Sequence, residues 1–498
     1  MAKLQPATAN EITQNNLPKP DFDFDIISEV RDEIISDQSP RTQLLKHTQI
    51  LSELLEQIEK KDFRELAGFK DDTEKLSKKI LLVCCVENIL KIAKDNNWGL
   101  CKNINFIYLF NGSFWALVEN SELQHFLGKA AEKMGVDKFE ARYYKFMDEL
   151  MKQFMVTAIL PKPKQNDDIV LIHLKNGTYE FGPKKQFLRE ARKNDFLTYE
   201  LPFPYNPGAG APKFFKYLNH VLPDKATQNI LSEYLAYVFI RPSILKLEKT
   251  LLLLGSGANG KSVFFEIVLA LLGSANVSSY SLQNLTNENG YFRAMLANKL
   301  VNYASEINGK LETSIFKQLV SGEPVEARLP YGEPFTLTNY AKLIFNCNEL
   351  PKDVEQTNAY FRRFIIVPFT VTIPDNEQDR ELSKKIIDSE LSGIFNWVLA
   401  GLHRLLEQKR FTYSEIVNKQ IELYRVQSDS LKMFLDDEGY MKDNEDFKPL
   451  QDLFEEYKKY CFDCNFRCVS RKTFSLRLRD NGFHLEKKSY GVVVYLKK

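Results

Sequence analysis

Thr250-Leu-Leu-Leu-Leu254-Gly255-Ser-Gly-Ala-Asn-Gly-Lys261-Ser262, continuing into the apolar run Val263 to Leu272, sets a strand, a loop and a helix end to end. A short run of apolar residues without alternation describes a strand covered on both faces, and the apolar segment after the loop has helical length. The spacing G-x-x-x-x-G-K-S between them is that of a phosphate cradle. Gly255, Gly257, Ala258, Asn259 and Gly260 let backbone N–H groups surround an anion, and the helix that follows presents its positive end to it. Lys261 then reaches the β and γ oxygens of a nucleoside triphosphate, and the Ser262 hydroxyl ligates Mg²⁺. The stretch therefore predicts an α/β core that takes ATP and Mg²⁺.

Outside that stretch, 498 residues suffice for about three domains, and 44% hydrophobic with 27% charged residues is the make-up of a soluble globular chain. A net charge of +1 excludes a uniformly basic protein, so any nucleic-acid contact must come from local patches. The seven cysteines are too irregularly placed for a disulfide framework, no apolar run has membrane-spanning length, and Met1-Ala-Lys-Leu-Gln-Pro opens no signal peptide. The expectation is a cytoplasmic protein with no membrane partner. Residues 1–25, poor in large aliphatics, read as a flexible arm. The Asp21-Phe-Asp23-Phe-Asp25 acids in it have too little chain around them for a metal-binding domain. Residues 26–200 read as one α+β domain, with helical spacing at Leu51, Leu54, Leu55 and Ile58. Its hairpin runs Asn105 to Phe110, Asn111-Gly112, then Ser113 to Val118. A linker and helical lead-in over 201–249 deliver the chain to an ATPase core over 250–370. A helical extension (371–426) and a C-terminal domain (427–498) complete it.

Three signals follow the loop. Lys299-Leu-Val-Asn-Tyr-Ala-Ser-Glu306 is a strand ending in a carboxylate, placed to hold Mg²⁺ or polarise the attacking water. Ala341 to Cys347 is a buried strand ending at Asn348, an amide suited to orienting that water and chosen over Asn346. Tyr360-Phe-Arg362-Arg363-Phe364 sets two arginines before another apolar strand, from which one can reach a neighbouring subunit's γ-phosphate.

In this order, the motifs resemble the superfamily 3 helicases of phages, plasmids and viruses. More narrowly, they are similar to the helicase part of primase-helicases of the poxvirus and satellite-phage type, without a primase domain. Gly112-Ser-Phe-Trp115, Leu174-Lys-Asn-Gly177 and Tyr205-Asn-Pro207 extend the likeness upstream, so that it covers residues 100–498. The resemblance implies an AAA+-like core in a homohexameric ring that moves 3′ to 5′ along single-stranded DNA. It implies Lys261 and Ser262 as Walker A, Glu306 as Walker B and Asn348 as sensor 1, with Arg363 as the arginine finger and Arg362 beside it. It also implies replication partners such as a primase on another chain. One departure is that Ser305 precedes Glu306 where many members carry a second acid, which leaves open whether Glu306 acts alone or Glu312 helps.

Two regions are candidates for DNA. Pro324 to Arg328 and Phe335 to Thr338 flank a rigid tip, and the hairpin they form would project from the core, offering Arg328, Tyr331 and the nearby Lys317 to a strand in the ring channel. From Lys458 to Lys498 there are eleven Lys or Arg against three acids, a net +8. There Ser470 caps a helix from Arg471 to Asp480, and two strands flank a Ser-Tyr-Gly turn. Helix then wing describes a winged helix, with Arg471, Lys472, Arg477 and Arg479 at the phosphates or groove. Cys461, Cys464 and Cys468 have partly zinc-like spacing but lack a second close pair, and read as ordinary thiols. An ATP-driven DNA translocase is favoured; the alternative is a DNA-binding ATPase switch or loader that does not unwind.

Overall fold

A computed structural model of the chain describes residues 45–69, 75–103, 105–159, 166–305, 307, 312–330, 332–351, 354–464 and 466–498. Residues 1–25, Glu306 and Tyr331 lie outside the described residues. The first helices, α1 (His47–Gln57), α2 (Lys78–Asp95), α3 (Asn120–Met134) and α4 (Tyr144–Thr157), bury Ile50, Leu54, Val86, Ile89, Leu127, Leu150 and Phe154 in one core. With them lies an antiparallel sheet of β1 (Gly99–Asn103), β2 (Phe106–Phe110) and β3 (Trp115–Val118). The hairpin expected there exists, but Phe110 pairs with Trp115, so a four-residue loop replaces the tight Asn-Gly turn. The Asn111 side chain accounts for the difference: its carbonyl accepts from the N–H groups of Ser113 (3.0 Å) and Phe114 (3.1 Å), closing the loop locally.

A second antiparallel sheet, β4 (Val170–Leu174), β5 (Gly177–Phe181) and β6 (Gln186–Arg189), packs elsewhere. Its Ile172, Leu174 and Tyr179 share a core with Phe214 of α5 (Pro212–Val221), Tyr234 of α6 (Lys225–Tyr237) and the sheet that follows. Packing therefore joins β4, β5 and residues 199–205 to the core of the central sheet, while Lys193 to Leu197 contact Trp98 and Trp115 of the N-terminal unit.

That central sheet begins with β7 (Thr250–Leu254), which feeds α7 (Lys261–Leu272). It continues through β8 (Val277–Ser278) and β9 (Val301–Ala304). After α8 (Thr313–Ser321) and the hairpin β10 (Val325–Arg328) to β11 (Pro334–Leu337) come β12 (Lys342–Cys347) and β13 (Phe364–Pro368). Five strands run parallel in the order β13-β7-β12-β9-β8. Both faces are covered, which is why β7 is apolar without alternation. Leu251 and Leu253 face the core of α7 and α9 (Leu382–Gln408), while Leu252 faces that of α8 and the hairpin, as does Tyr424 of α10 (Glu415–Gln427).

The last unit holds α11 (Ser430–Asp437), β14 (Met441–Pro449), α12 (Leu450–Asp463), α13 (Arg471–Asp480), β15 (Leu485–Lys488) and β16 (Gly491–Lys497). Phe434, Tyr457, Phe474, Leu478 and Val494 form its core. The helix expected from Arg471 to Asp480 has those bounds, and Ser470 caps it by accepting from the Thr473 N–H. A third strand, β14, joins the two expected ones in the order β14-β16-β15. It is mostly polar, with only Met441 and Phe447 as large apolar residues, so no apolar pattern marked it.

Candidate active site at the carboxyl edge of the parallel sheet

Ligands of open α/β sheets bind outside the carboxyl ends of the strands, and the glycine-rich loop lies there. Leu254 is level with Cys347 of β12 and Pro368 of β13, so the loop leaves the sheet between its two neighbours. The Gly255 N–H donates to the Cys347 carbonyl (3.1 Å) and the Phe369 N–H to that of Leu254 (2.7 Å). The loop then turns through left-handed backbone at Gly257 (φ 119°), Ala258 (φ 47°) and Gly260 (φ 85°). A Cβ on Gly255 would lie 2.1 Å from Asn259 Nδ2 and 3.0 Å from Lys261 Nζ, so only glycine lets these groups close over the loop. Gly260 N-caps α7 without a side-chain acceptor, and helix geometry leaves the first N–H groups, at Lys261, Ser262 and Val263, without an intrahelical acceptor.

Lys261 is buried, and its ammonium donates to the Gly255 carbonyl and to Asn259 Oδ1 (3.3 Å). Asn259 Nδ2 in turn donates to the Phe369 carbonyl (3.2 Å), fixing the amide. Desolvation lowers the Lys261 pKa, and the nearby Cys347 thiol, itself pushed up to about 12 by burial, opposes that shift only in part. Tyr217 of α5 donates to the Gly260 carbonyl (2.7 Å), pinning the loop from behind; sequence reading missed it, and only the aromatic of the lead-in helix could have signalled it. A buried cation, free helix N–H groups and a glycine-only bend are the donor set a triphosphate requires, so the residues present fit ATP.

Around the loop, Asn348 is exposed one residue beyond β12, beside Gly255. Asn346 is instead held by the Tyr303 hydroxyl, which donates to its Oδ1 (3.0 Å). Ala304, the last residue of β9, is level with Phe345; Glu306 lies beyond it, outside the described residues. Glu312 N-caps α8, accepting from the Ser314 N–H (3.4 Å) and hydroxyl (2.9 Å).

The arginine pair occupies the opposite edge. Phe364 pairs with Thr250 at the start of both strands, and the Thr250 N–H donates to the Arg363 carbonyl (2.8 Å). Five residues of strand, roughly 15 Å, separate these arginines from their own chain's loop. Arg363 does not fit the expectation that it reaches outward. Its side chain is 9% exposed and donates to the Ala359 carbonyl and to Ser321 Oγ (3.0 Å), with Glu248 at 3.8 Å. Arg362 is the outward member, 61% exposed, with Nη2 2.8 Å from Glu248 Oε2.

Of the candidate DNA contacts, Arg328 is exposed at the end of β10, its Nε donating to the Gly332 carbonyl (2.8 Å). The hairpin does not stand wholly free, because Phe335 of β11 packs edge-on against Phe106 of β2, ring centroids 6.0 Å apart. Lys317 is not on the hairpin; it lies on α8, ion-paired with Glu355 at 2.7 Å. On α13, Arg471, Lys472 and Arg479 are exposed, whereas Arg477 is half-buried with Asp429 at 3.7 Å. Cys461 is buried, Cys464 and Cys468 are exposed, and among the described residues no group of three or more ligands could hold a metal ion. Nor, among them, is any helix long and apolar enough to cross a membrane.

The chain is thus a multidomain α/β protein whose parallel sheet presents a glycine-rich loop at its carboxyl edge. Residues 87–223 match the family described as D5 N terminal like, and residues 253–363, from the end of β7 to the arginine pair, match a family of unknown function (DUF5906). The chain is 22% identical over 339 residues to "Putative helicase 121R" of Invertebrate iridescent virus 3, covering 59% of this chain and 35% of that protein. It is 23% identical over 308 residues to "Putative helicase L207/L206" of Acanthamoeba polyphaga mimivirus, covering 55% and 31%. The chain thus spans about a third of the length of these curated relatives. Among solved structures, the apo NrS-1 C terminal region aligns with 81% of this chain and 97% of its own, at 14% identity and a TM-score of 0.46. The chain thus carries a region similar to the D5 N terminal like family and is similar along more than half of its length to putative helicases of two viruses.

Proposed function

We propose that the chain is an ATP-driven DNA translocase of the superfamily 3 type, in which ATP is cleaved at junctions between copies of the chain. The observation that carries this reading is the separation of the parts: the glycine-rich loop lies at one edge of the sheet and the exposed arginine at the other. An arginine so placed serves only a neighbour's nucleotide, and head-to-tail contacts of that kind close into a ring, which we take to be six-membered. The core over 250–370 is an AAA+-like P-loop unit, preceded by the lead-in and by β4–β6, with the N-terminal α+β domain ending near residue 169. Residues 427–498 are a winged helix.

Lys261 and the first N–H groups of α7 hold the β- and γ-phosphates. Ser262 and Glu306 are the residues to hold Mg²⁺, which neutralises charge developing on the phosphate oxygens. Asn348 orients the attacking water, and Arg362 of the next subunit meets the γ-phosphate. Arg328 lines the DNA path. Arg471, Lys472 and Arg479 on α13 supply phosphate contacts.

Strand displacement tests the reading: ATP-dependent release from a 3′-tailed duplex, and none from a 5′-tailed one, is expected. ATP turnover that DNA stimulates without release of either strand would replace the translocase by a switch or loader. For α13, exchanging Arg471, Lys472 and Arg479 together for alanine is expected to weaken DNA binding for every sequence alike. It should also flatten the plot of log affinity against log salt by about three in slope, measured by titration at several salt concentrations. An unchanged slope would remove these contacts.

A further inference from the structure

We infer that Glu248 is the positioning residue of the arginine edge, the carboxylate that aims Arg362 at the neighbouring subunit's nucleotide; this rests on the junction reading above. Glu248 lies in the connection just before β7 and is half-buried. Its Oε2 is 2.8 Å from Arg362 Nη2 and 3.8 Å from Arg363 Nη2, and its Oε1 is 3.5 Å from Lys246 Nζ. Lys246 is shared with Glu323 at 3.6 Å. One carboxylate thus faces three cations, two of them adjacent arginines that repel each other without it.

The backbone is committed to this arrangement. Glu248 has φ 54°, in the left-handed region that a residue with a long side chain adopts only when its surroundings impose it. Next to it, Lys249 donates from its ammonium to the Arg362 carbonyl, so the connection holds Arg362 by backbone and side chain together. The buried Arg363 guanidinium, with its Nε unpaired, forms the fixed side of the clamp. Arg362 forms the side that can move, because an exposed ion pair exchanges readily for a better anion. A γ-phosphate presented by the next subunit is such an anion, and Glu248 keeps the guanidinium within reach of it.

Glu248→Gln keeps size and shape but removes the charge. In the full chain, the variant is expected to lose at least tenfold in DNA-stimulated ATP turnover while its own Lys261 site binds ATP within about twofold of wild type. Mixing it with Lys261→Ala separates positioning from general damage. A Lys261→Ala subunit brings a dead loop and an intact arginine edge, so about a quarter of junctions in an equal mixture pair a good loop with a good edge, and turnover returns accordingly. Arg362→Ala mixed with Lys261→Ala is the parallel control. Recovery there without recovery for Glu248→Gln overturns the role of Glu248, as does wild-type turnover or lost ATP binding by Glu248→Gln alone. Recovery in neither mixture overturns the junction reading itself.

Discussion

Lys261→Ala is expected to abolish ATP-dependent stabilisation of the protein and to lower ATP turnover by about a hundredfold or more, without unfolding it. The reason lies in the environment of the ammonium. It is buried and its hydrogen-bond acceptors are a neutral carbonyl and a neutral amide. Burial accordingly lowers its pKa, the mark of a cation whose desolvation its surroundings do not fully offset. Removing it therefore does little harm to the folded state alone, while the triphosphate loses its strongest buried partner. At ATP a hundredfold above its Kd, the wild-type protein gains about 2.7 kcal/mol of stability by mass action. The variant should show almost none of that gain in a thermal melt with and without nucleotide. Wild-type stabilisation by ATP in Lys261→Ala would remove the loop from nucleotide binding.

The loop was legible because each of its requirements leaves a residue-type signature: glycine where a Cβ has no room, lysine where a buried cation is needed, and an unbroken apolar run where a strand is covered on both faces. Its neighbours were legible as strand ends but not as side-chain directions. Asn346 and Asn348 are two residues apart at one strand end, yet Asn348 is exposed just past β12 and Asn346, within it, is tied to Tyr303. Adjacency hid more at Arg362 and Arg363. Neither composition nor spacing says which of two consecutive arginines points inward, because that depends on Ser321 and Ala359, which come from elements distant in sequence or turned back upon the strand. Glu248, which sits between them in space, lies 114 residues before Arg362. The assignment of β4–β6 to the central core was illegible for the same reason: apolar residues declare that they are buried, not against what. Mostly polar β14 shows the reverse case, a strand recruited by pairing with β16 rather than by its own pattern.

The two arginines should therefore fail in different ways when replaced one at a time. Arg362→Ala removes an exposed side chain whose ion pair with Glu248 is worth about 0–1 kcal/mol, so the melting temperature should barely move. Its own loop, roughly 15 Å away at the other edge of the sheet, should bind ATP as before. Turnover should nevertheless fall about a thousandfold, since a trans arginine acts on the charge that develops as the γ-phosphate departs. Arg363→Ala should do the opposite at first order. It strips the donors from the Ala359 carbonyl and Ser321, and takes a buried cation from beside Glu248, a loss of about 3 kcal/mol that lowers the melting temperature. Any loss of turnover should then follow the loss of folded or assembled protein, and should recede at low temperature. Melting curves and single-temperature kcat values on both variants decide the matter. If Arg363→Ala melts normally but cannot turn over ATP, while Arg362→Ala remains active, the outward role belongs to Arg363, and its burial must give way when a second subunit docks.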